Sequence, residues 1–584
     1  MKFRLILALL AALIILACGG GGGGGSTLST LVYTTDWTNS GNAGGGVSQR
    51  VSVYDSQGRL LKSLIVNKGS SPVLVTRIEG IEAGSQLVVS ELYSQTNLGG
   101  VKTGEFRTIL NIVGEATLQA RVGDPVDSVK VTPESSSVSV PRSVAFYALP
   151  RTADGSATFA LSNQITWSLL GGVGSIAQNG RFLSNTAGSG TVRALHVPTS
   201  ILGSATVQVN PPVITRGKWS IFVFLNAAND LYSFSTSNVN QMETAAGNPD
   251  VRYILQWKQS AARFPNSTFD GTRRYLVKPD TSGSIASELV QDMGSGIDMG
   301  KPQTMKDFLD WAKTYYPADH YGVIVWNHGN GWRRKPNKET RAVSYDDETG
   351  NAIQIWELNT GLSGHHFDFI AWDSSLMQMQ EVAYEIRDKA DYIVGSEESP
   401  PAEGYRYDTL FAKFRDNPTD TPRNLTKAFV DTTLAHGGYA SRNITQSVID
   451  TTKIAALATA TNTLAQQLMA NTGSLTTIIP NVRLSAQSYS QQASPPRYYR
   501  DLVDVCTKLE QQTSIPGLIS ACVGVRNAVS QAVIWEGHNT HSPGSRGVAI
   551  DFTPGNVFIS SASDYQRMKF SNDTLWDDWL IAAP

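Results

Sequence analysis

From Lys218 onward, short apolar runs of strand length alternate with longer stretches of helical periodicity, and this constrains the fold more than any other feature. The strand-like runs cover 220–225, 251–256, 321–326, 367–372 and 392–396; the helix-like runs include 304–316, 377–390 and 453–469. Strands that are apolar along their whole length are buried on both faces. Strands separated by helices pair in parallel through crossovers. The segment therefore predicts an α/β domain with a mainly parallel sheet flanked by helices. In such sheets reactive groups collect where strands end at their carboxyl side.

Two strand ends carry such groups. FDFIAWDSSLMQ (367–378) runs from Phe369, Ile370, Ala371 and Trp372 into Asp373, Ser374 and Ser375, and a helix is expected to follow at once. A serine there suits a nucleophile, and equally a helix N-cap. YGVIVWNHGNGW (321–332) runs into His328 and Gly329. An imidazole at a strand end can move a proton, and a glycine lets a backbone N–H approach a developing oxyanion. One such histidine alone is more often structural. A second polar strand end makes the pair a candidate split site. His365 and His366 are adjacent, so their rings diverge, and no zinc-ligand spacing occurs in the chain. No metal centre is expected from these residues.

The chain has 584 residues, too many for one core. Residues 28–125 alternate apolar and polar residues between turns and read as a β-sandwich module. Within it, 51–54 and 60–66 form a hairpin across Asp55-Ser56-Gln57-Gly58. A second β module covers 126–212 and closes at Asn210-Pro211-Pro212. Its strand order, with Ile165-Thr166-Trp167 inside and Gly190-Thr191-Val192-Arg193-Ala194 near its end, resembles bacterial Ig-like domains, which space or adhere. At the N-terminus, Lys2 and Arg4 precede the apolar run 5–16 and Cys18. That is signal-peptide length. Ile15-Leu16-Ala17-Cys18 resembles the lipobox of bacterial lipoproteins, which implies cleavage of 1–17 and lipidation of Cys18. Residues 18–27, mostly glycine, then form a flexible tether. The expected location is the bacterial cell envelope, at the outer membrane or cell surface, held by the lipid anchor. A formal charge of -2 gives no footprint for nucleic acid. Cys506 and Cys522 are either a disulfide or two buried thiols.

Several stretches together resemble the clostripain family of cysteine peptidases, caspase-like relatives. They are KWSIFVFLNAANDL (218–231), VIVWNHGNGWR (323–333), VSYDDETGN (343–351), FDFIAWDSSLMQMQEVAYEIRDKADYIVGSEESPPAEGYRYD (367–408) and SRGVAIDFTP (545–554). The resemblance spans 217–584 and implies a caspase-like α/β fold. It implies His328 as the catalytic base or acid and the Gly329 N–H in the oxyanion hole. The family pattern D-x-C-L-M stands here as Asp373-Ser374-Ser375-Leu376-Met377, so Ser375 occupies the nucleophilic cysteine's position. A cysteine thiol titrates near ~8.5 and is readily ionised beside a histidine. A serine needs a closely bonded base that a third group orients. The sequence displays no such orienting acid. The substitution is therefore read in three ways: a pseudopeptidase, a working serine variant, or a cysteine altered by engineering or sequence error.

The same resemblance assigns Asp373 to the pocket for a substrate Arg or Lys, with Glu403 as a second acid. A carboxylate at a pocket floor pairs bidentately with guanidinium. Asp373 also suits a plain turn, and Glu397-Glu398 either line the same mouth or are solvated. The basic stretch 332–341 is where family members cut themselves; it is equally a solvated loop. Some members need calcium, to which Asp346, Asp347 and Glu348 offer a short acidic turn here; no other cofactor is expected. The expected partners are peptides or proteins bearing Arg or Lys, and a membrane through the lipid anchor. The expected activity is endopeptidase cleavage after Arg or Lys, impaired at Ser375. The alternative is a non-catalytic adhesion or scaffold protein.

Overall fold

The computed structural model of the chain describes residues 28–42, 45–56, 58–333, 343–489 and 498–584. Cys18, the signal and tether at 1–27, and the basic residues 334–341 lie outside them. The chain forms two compact units. One holds the described residues up to Ser128 with Leu149–Ser162, and the other holds Val129–Ala148 with Asn163–Pro584.

In the first unit, Val73–Glu82, Leu28–Asp36 and Glu115–Arg121 form one sheet, and Leu60–Asn67, Ser48–Tyr54, Gly84–Tyr93 and Lys102–Ile112 another. Leu28–Asp36 buries every second side chain, as a half-covered strand must. Leu31, Tyr33, Val51, Val53, Val88 and Phe106 bring both sheets to one core. The expected hairpin is present: Ser48–Tyr54 pairs antiparallel with Leu60–Asn67.

In the second unit, Ile165–Leu170, Gly188–His196, Ile201–Asn210 and Ser135–Ser139 form a four-stranded sheet. Polar contacts are among those that join this β region to the rest of the unit. Arg142 pairs with Glu288, Arg181 with Asp292 at 2.8 Å, and the Asp292 N–H donates to Ser143 Oγ at 2.6 Å.

The remainder is organised by a nine-stranded sheet among the described residues. Its strands are β1 (Gly217–Asn226), β2 (Val251–Gln259), β3 (Gly271–Leu276), β4 (Glu288–Gly294), β5 (Ala318–Trp326), β6 (Phe367–Asp373), β7 (Ala390–Gly395), β8 (Thr445–Asp450) and β9 (Val533–His538). The order is β4-β3-β2-β1-β5-β6-β7-β8-β9. The central strands β2, β1, β5, β6 and β7 are parallel. An antiparallel pair flanks them on each side. The sheet is thus mixed, where the sequence suggested a mainly parallel one. The β2–β3 and β3–β4 links are too short for a crossover helix, so those strands turn back on their neighbours.

The apolar runs explain the centre. Phe222 and Phe224 of β1, Val323 and Val325 of β5, and Ile370 and Trp372 of β6 enter one core. The intervening Ile221, Val223, Ile324, Phe369 and Ala371 enter the other. Helices cover both faces. Tyr232–Ala245, Tyr407–Asp416 and Pro422–Leu434 pack on the second core; Pro302–Tyr315, Ile454–Ala470 and Pro516–Ala532 pack on the first.

The helix expected over 377–390 is reduced to Gln380–Glu385, capped by Met379. The backbone before it is committed elsewhere. Leu376 takes a left-handed conformation with φ 64°, and its N–H donates to Glu398 O at 3.2 Å. The Gln378 N–H donates to Ser396 O at 3.1 Å. The late strand of SRGVAIDFTP is the short Ala549–Asp551, in a separate three-stranded sheet.

Candidate functional site

β1 and β5 diverge in connection at the centre of the sheet, so their carboxyl ends open a crevice. Three carboxyl ends meet there: the loop after β1, His328 after β5, and Asp373 to Ser375 at the end of β6. His328, Asp373, Ser374 and Ser375 line one cavity of about 220 Å³, with Leu231 and Pro401 on its rim. The two strand ends singled out in the sequence therefore line one cavity.

Gly329 shows how tightly they join. A side chain's Cβ at this position would lie 2.3 Å from Ser375 O and 2.9 Å from Ser375 N. Only glycine lets the two main chains touch. Ser375 itself caps no helix, because the next helix begins at Gln380; it sits in a tight turn and is half-buried. Among the described residues, Ser375 Oγ has no hydrogen-bond partner. Ser374, by contrast, donates from Oγ to Val325 O at 3.2 Å.

Strand alternation directs Asp373 to the face of Phe369 and Ala371, where Tyr405 and Tyr407 also pack. Tyr407 donates its hydroxyl to Asp373 Oδ2 at 2.7 Å, and the Tyr405 N–H donates to the same oxygen at 3.3 Å. Burial pushes the Asp373 carboxyl up to about 6, against the opposing pull of these two hydrogen bonds. Gly404, at φ 69°, completes the floor: a Cβ there would meet Asp373 Oδ2 at 2.7 Å. The floor loop is pinned by Tyr439, which donates to Gly404 O at 2.6 Å.

Glu403 is not brought into the cavity. Its neighbours Ala402 and Gly404 line it, while Glu403 is exposed and holds the loop only through its carbonyl, which accepts from Asn238 Nδ2 at 2.9 Å. Glu397 and Glu398 neither line the cavity nor meet solvent; both are buried. Glu397 lies against Asp501 and accepts from the Gly547 N–H at 3.1 Å. Burial and the facing acid drive its carboxyl well upward, and Asp501 is raised to about 7, chiefly by burial.

One residue of the site escaped the sequence reading. Asp230, in the loop after β1, places Oδ1 2.6 Å from His328 Nε2. Its signal was its place in KWSIFVFLNAANDL, five residues past the apolar run 220–225, at the third strand end of the crevice.

The acidic turn does not fit calcium. Asp346 Oδ2 and Glu348 Oε2 each lie 2.8 Å from Lys258 Nζ, which also donates to Ile297 O at 2.8 Å. The ammonium already stands where a cation would be drawn. The described residues hold no group of three or more His, Cys, Asp or Glu arranged for a metal. His365 and His366 pair with different acids, Asp310 and Asp391. Cys506 and Cys522 are free, buried and mutually adjacent. At the start of the basic stretch, Arg333 Nε donates to the buried Asp551 at 3.0 Å, as does Trp332 Nε1 at 2.8 Å.

The chain is similar to known proteins. The model of the clostripain family, Peptidase_C11, matches residues 223–581. Clostripain of Hathewaya histolytica is 24% identical over 262 residues, 38% of this chain and 50% of that protein, so the match spans about half of this relative. Among solved structures, an inactive zymogen C11 protease from Parabacteroides distasonis aligns at 19% identity and TM-score 0.48, over 62% of this chain and 99% of that one. A secreted C11 cysteine protease from Bacteroides thetaiotaomicron, in complex with an irreversible peptide inhibitor, aligns at 21% identity and TM-score 0.47, over the same shares. With the family's profile covering most of the sequence, the chain belongs to the clostripain family of cysteine peptidases.

Proposed function

We propose that residues 217–584 bind polypeptides through an Arg or Lys side chain and hydrolyse the following peptide bond slowly. The observation that carries this is the shared cavity: a proton carrier, a hydroxyl and a buried carboxylate at one mouth. Asp373 holds the cation, and His328 carries the proton. The Gly329 N–H receives the oxyanion, and Ser375 attacks. Glu403, exposed on the floor loop, contributes long-range charge rather than a contact. A hydroxyl in place of a thiol slows acylation, because it is far less acidic.

A non-catalytic scaffold is the second reading, favoured by the free Ser375 Oγ among the described residues. Agmatine binding by calorimetry, with turnover of an Arg fluorogenic peptide by the parent chain and Ser375→Cys, separates the two. Binding with a large gain in Ser375→Cys supports the peptidase reading. Binding without any turnover in Ser375→Cys supports the scaffold, and no binding sinks both.

The remaining features complete the proposal. Cleavage after Ala17 and lipidation of Cys18 tether the protein to the bacterial envelope, at the outer membrane or cell surface. The β modules, the second of them Ig-like, space the peptidase domain from the membrane. Activity needs no calcium, because Lys258 neutralises the acidic turn from within.

A further inference from the structure

The contact between Asp230 and His328 is built rather than incidental. Asp230 belongs to the segment between β1 and the helix Tyr232–Ala245, and three buried asparagines fix that segment to the end of β5. Asn327 Nδ2 donates to Asn226 O at 2.6 Å and to Tyr345 O at 3.0 Å, and Asn327 Oδ1 accepts from the Tyr345 N–H at 2.7 Å. Asn229 Nδ2 donates to Asn226 O and Tyr345 O, both at 3.1 Å, and Asn229 Oδ1 accepts from the Leu231 N–H at 2.9 Å. Two asparagines thus flank the roots of Asp230 and His328 and hold both to one strand. Tyr345 also packs on the imidazole, with ring centroids 5.8 Å apart.

An ionised carboxylate only accepts hydrogen bonds, so His328 Nε2 must carry the hydrogen in this contact. That leaves Nδ1 with its lone pair. We propose that Asp230 is a positioning residue that fixes His328 in the Nδ1-basic tautomer and so completes a serine-type Asp230–His328–Ser375 triad. The inference rests on the peptidase reading above and supplies the orienting group that a serine nucleophile requires.

The chemistry balances without another reactant. Nδ1 takes the Ser375 Oγ proton as the Oγ–carbonyl carbon bond forms. Nδ1–H then gives that proton to the amine as the C–N bond breaks, leaving an ester on Oγ. Water loses a proton to Nδ1 and attacks the ester; the acid leaves and Oγ–H is restored. Throughout, Asp230 stabilises the transient imidazolium. Its side chain is 74% exposed, so water screens the interaction and its effect is smaller than that of a buried triad acid.

The test uses the full chain, a fluorophosphonate probe and intact-mass detection. The parent chain should be labelled at Ser375, Asp230→Asn about tenfold more slowly, and Asp230→Glu at an intermediate rate. Long-range proton–nitrogen correlation spectra, with His328→Gln to assign the signals, should show protonated Nε2 in the parent and a tautomer mixture in Asp230→Asn. Absence of label on Ser375, or equal rates and unchanged tautomer in Asp230→Asn, overturns the triad. Agmatine affinity, measured alongside, reports on the Asp373 pocket. If it is normal while the triad fails, the Asp373 pocket stands without the triad, and Ser375→Cys turnover decides between peptidase and scaffold; if it is lost in the parent chain, the underlying peptidase reading falls.

Discussion

Tyr407 donates its hydroxyl to Asp373 Oδ2 at 2.7 Å, deep in the protein, at the floor of the cavity that His328 and Ser375 share. A single phenol and a single N–H stabilise the carboxylate there, and burial outweighs them. Burial consequently pushes the Asp373 carboxyl up to about 6.

A cationic ligand needs Asp373 ionised. Its affinity should be constant above that value and fall below it as the acid is protonated. Agmatine should bind about tenfold more weakly at pH 5 than at pH 7.5. Calorimetry at the two values checks this, and Asp373→Asn should bind weakly at both. Equal affinity at both values in the parent chain would refute Asp373 as the cation's partner.

Gly329→Ala should separate the two strand ends. The new methyl would meet backbone atoms of Ser375, which cannot rotate aside. Overpacking of this kind costs about 1–3 kcal/mol. In a Ser375→Cys background, turnover should drop further than the melting temperature alone explains, because the Gly329 N–H, the proposed oxyanion donor, moves with the strand end.

Lys258→Met would leave Asp346 buried with its cation removed. Both side chains are fully inaccessible to solvent, and breaking such a pair costs about 3–5 kcal/mol. Denaturant unfolding should report that loss, and adding Asp346→Asn should recover a large part of it. Addition of calcium to the parent chain should change neither stability nor activity.

Glu397 and Asp501 should give the fold a pH slope. Both carboxyls are raised by folding, Asp501 to about 7. The folded chain therefore keeps protons that the unfolded chain has released. Stability falls as pH rises from the unfolded values near ~4 through about 7. Glu397→Gln removes one acid and its repulsion, so the melting temperature should decline less between pH 5 and 8 than in the parent.

The sequence made the strand ends legible because burial on both faces demands unbroken apolar runs, and a polar residue closing such a run is conspicuous. That is how His328, Asp373 and Ser375 stood out. The helix over 377–390 misled for a related reason. Its periodicity is real, but Leu376 and Gln378 spend their N–H groups on 396–398, a tertiary demand invisible to local pattern. Glu403, expected as a second pocket acid, is exposed in the floor loop, beside Gly404 in a left-handed conformation. Asp230 was hidden because its partner lies 98 positions away. Lys258 left a trace in the sequence: a second charged residue, after Arg252, in a strand with an apolar centre.

That lysine carries a consequence beyond stability. An ion borrowed from the medium can be stripped away by a chelator or diluted outside the cell. A counter-charge joined to the chain by four methylenes travels with it. The acidic turn thus carries its own cation inside the fold.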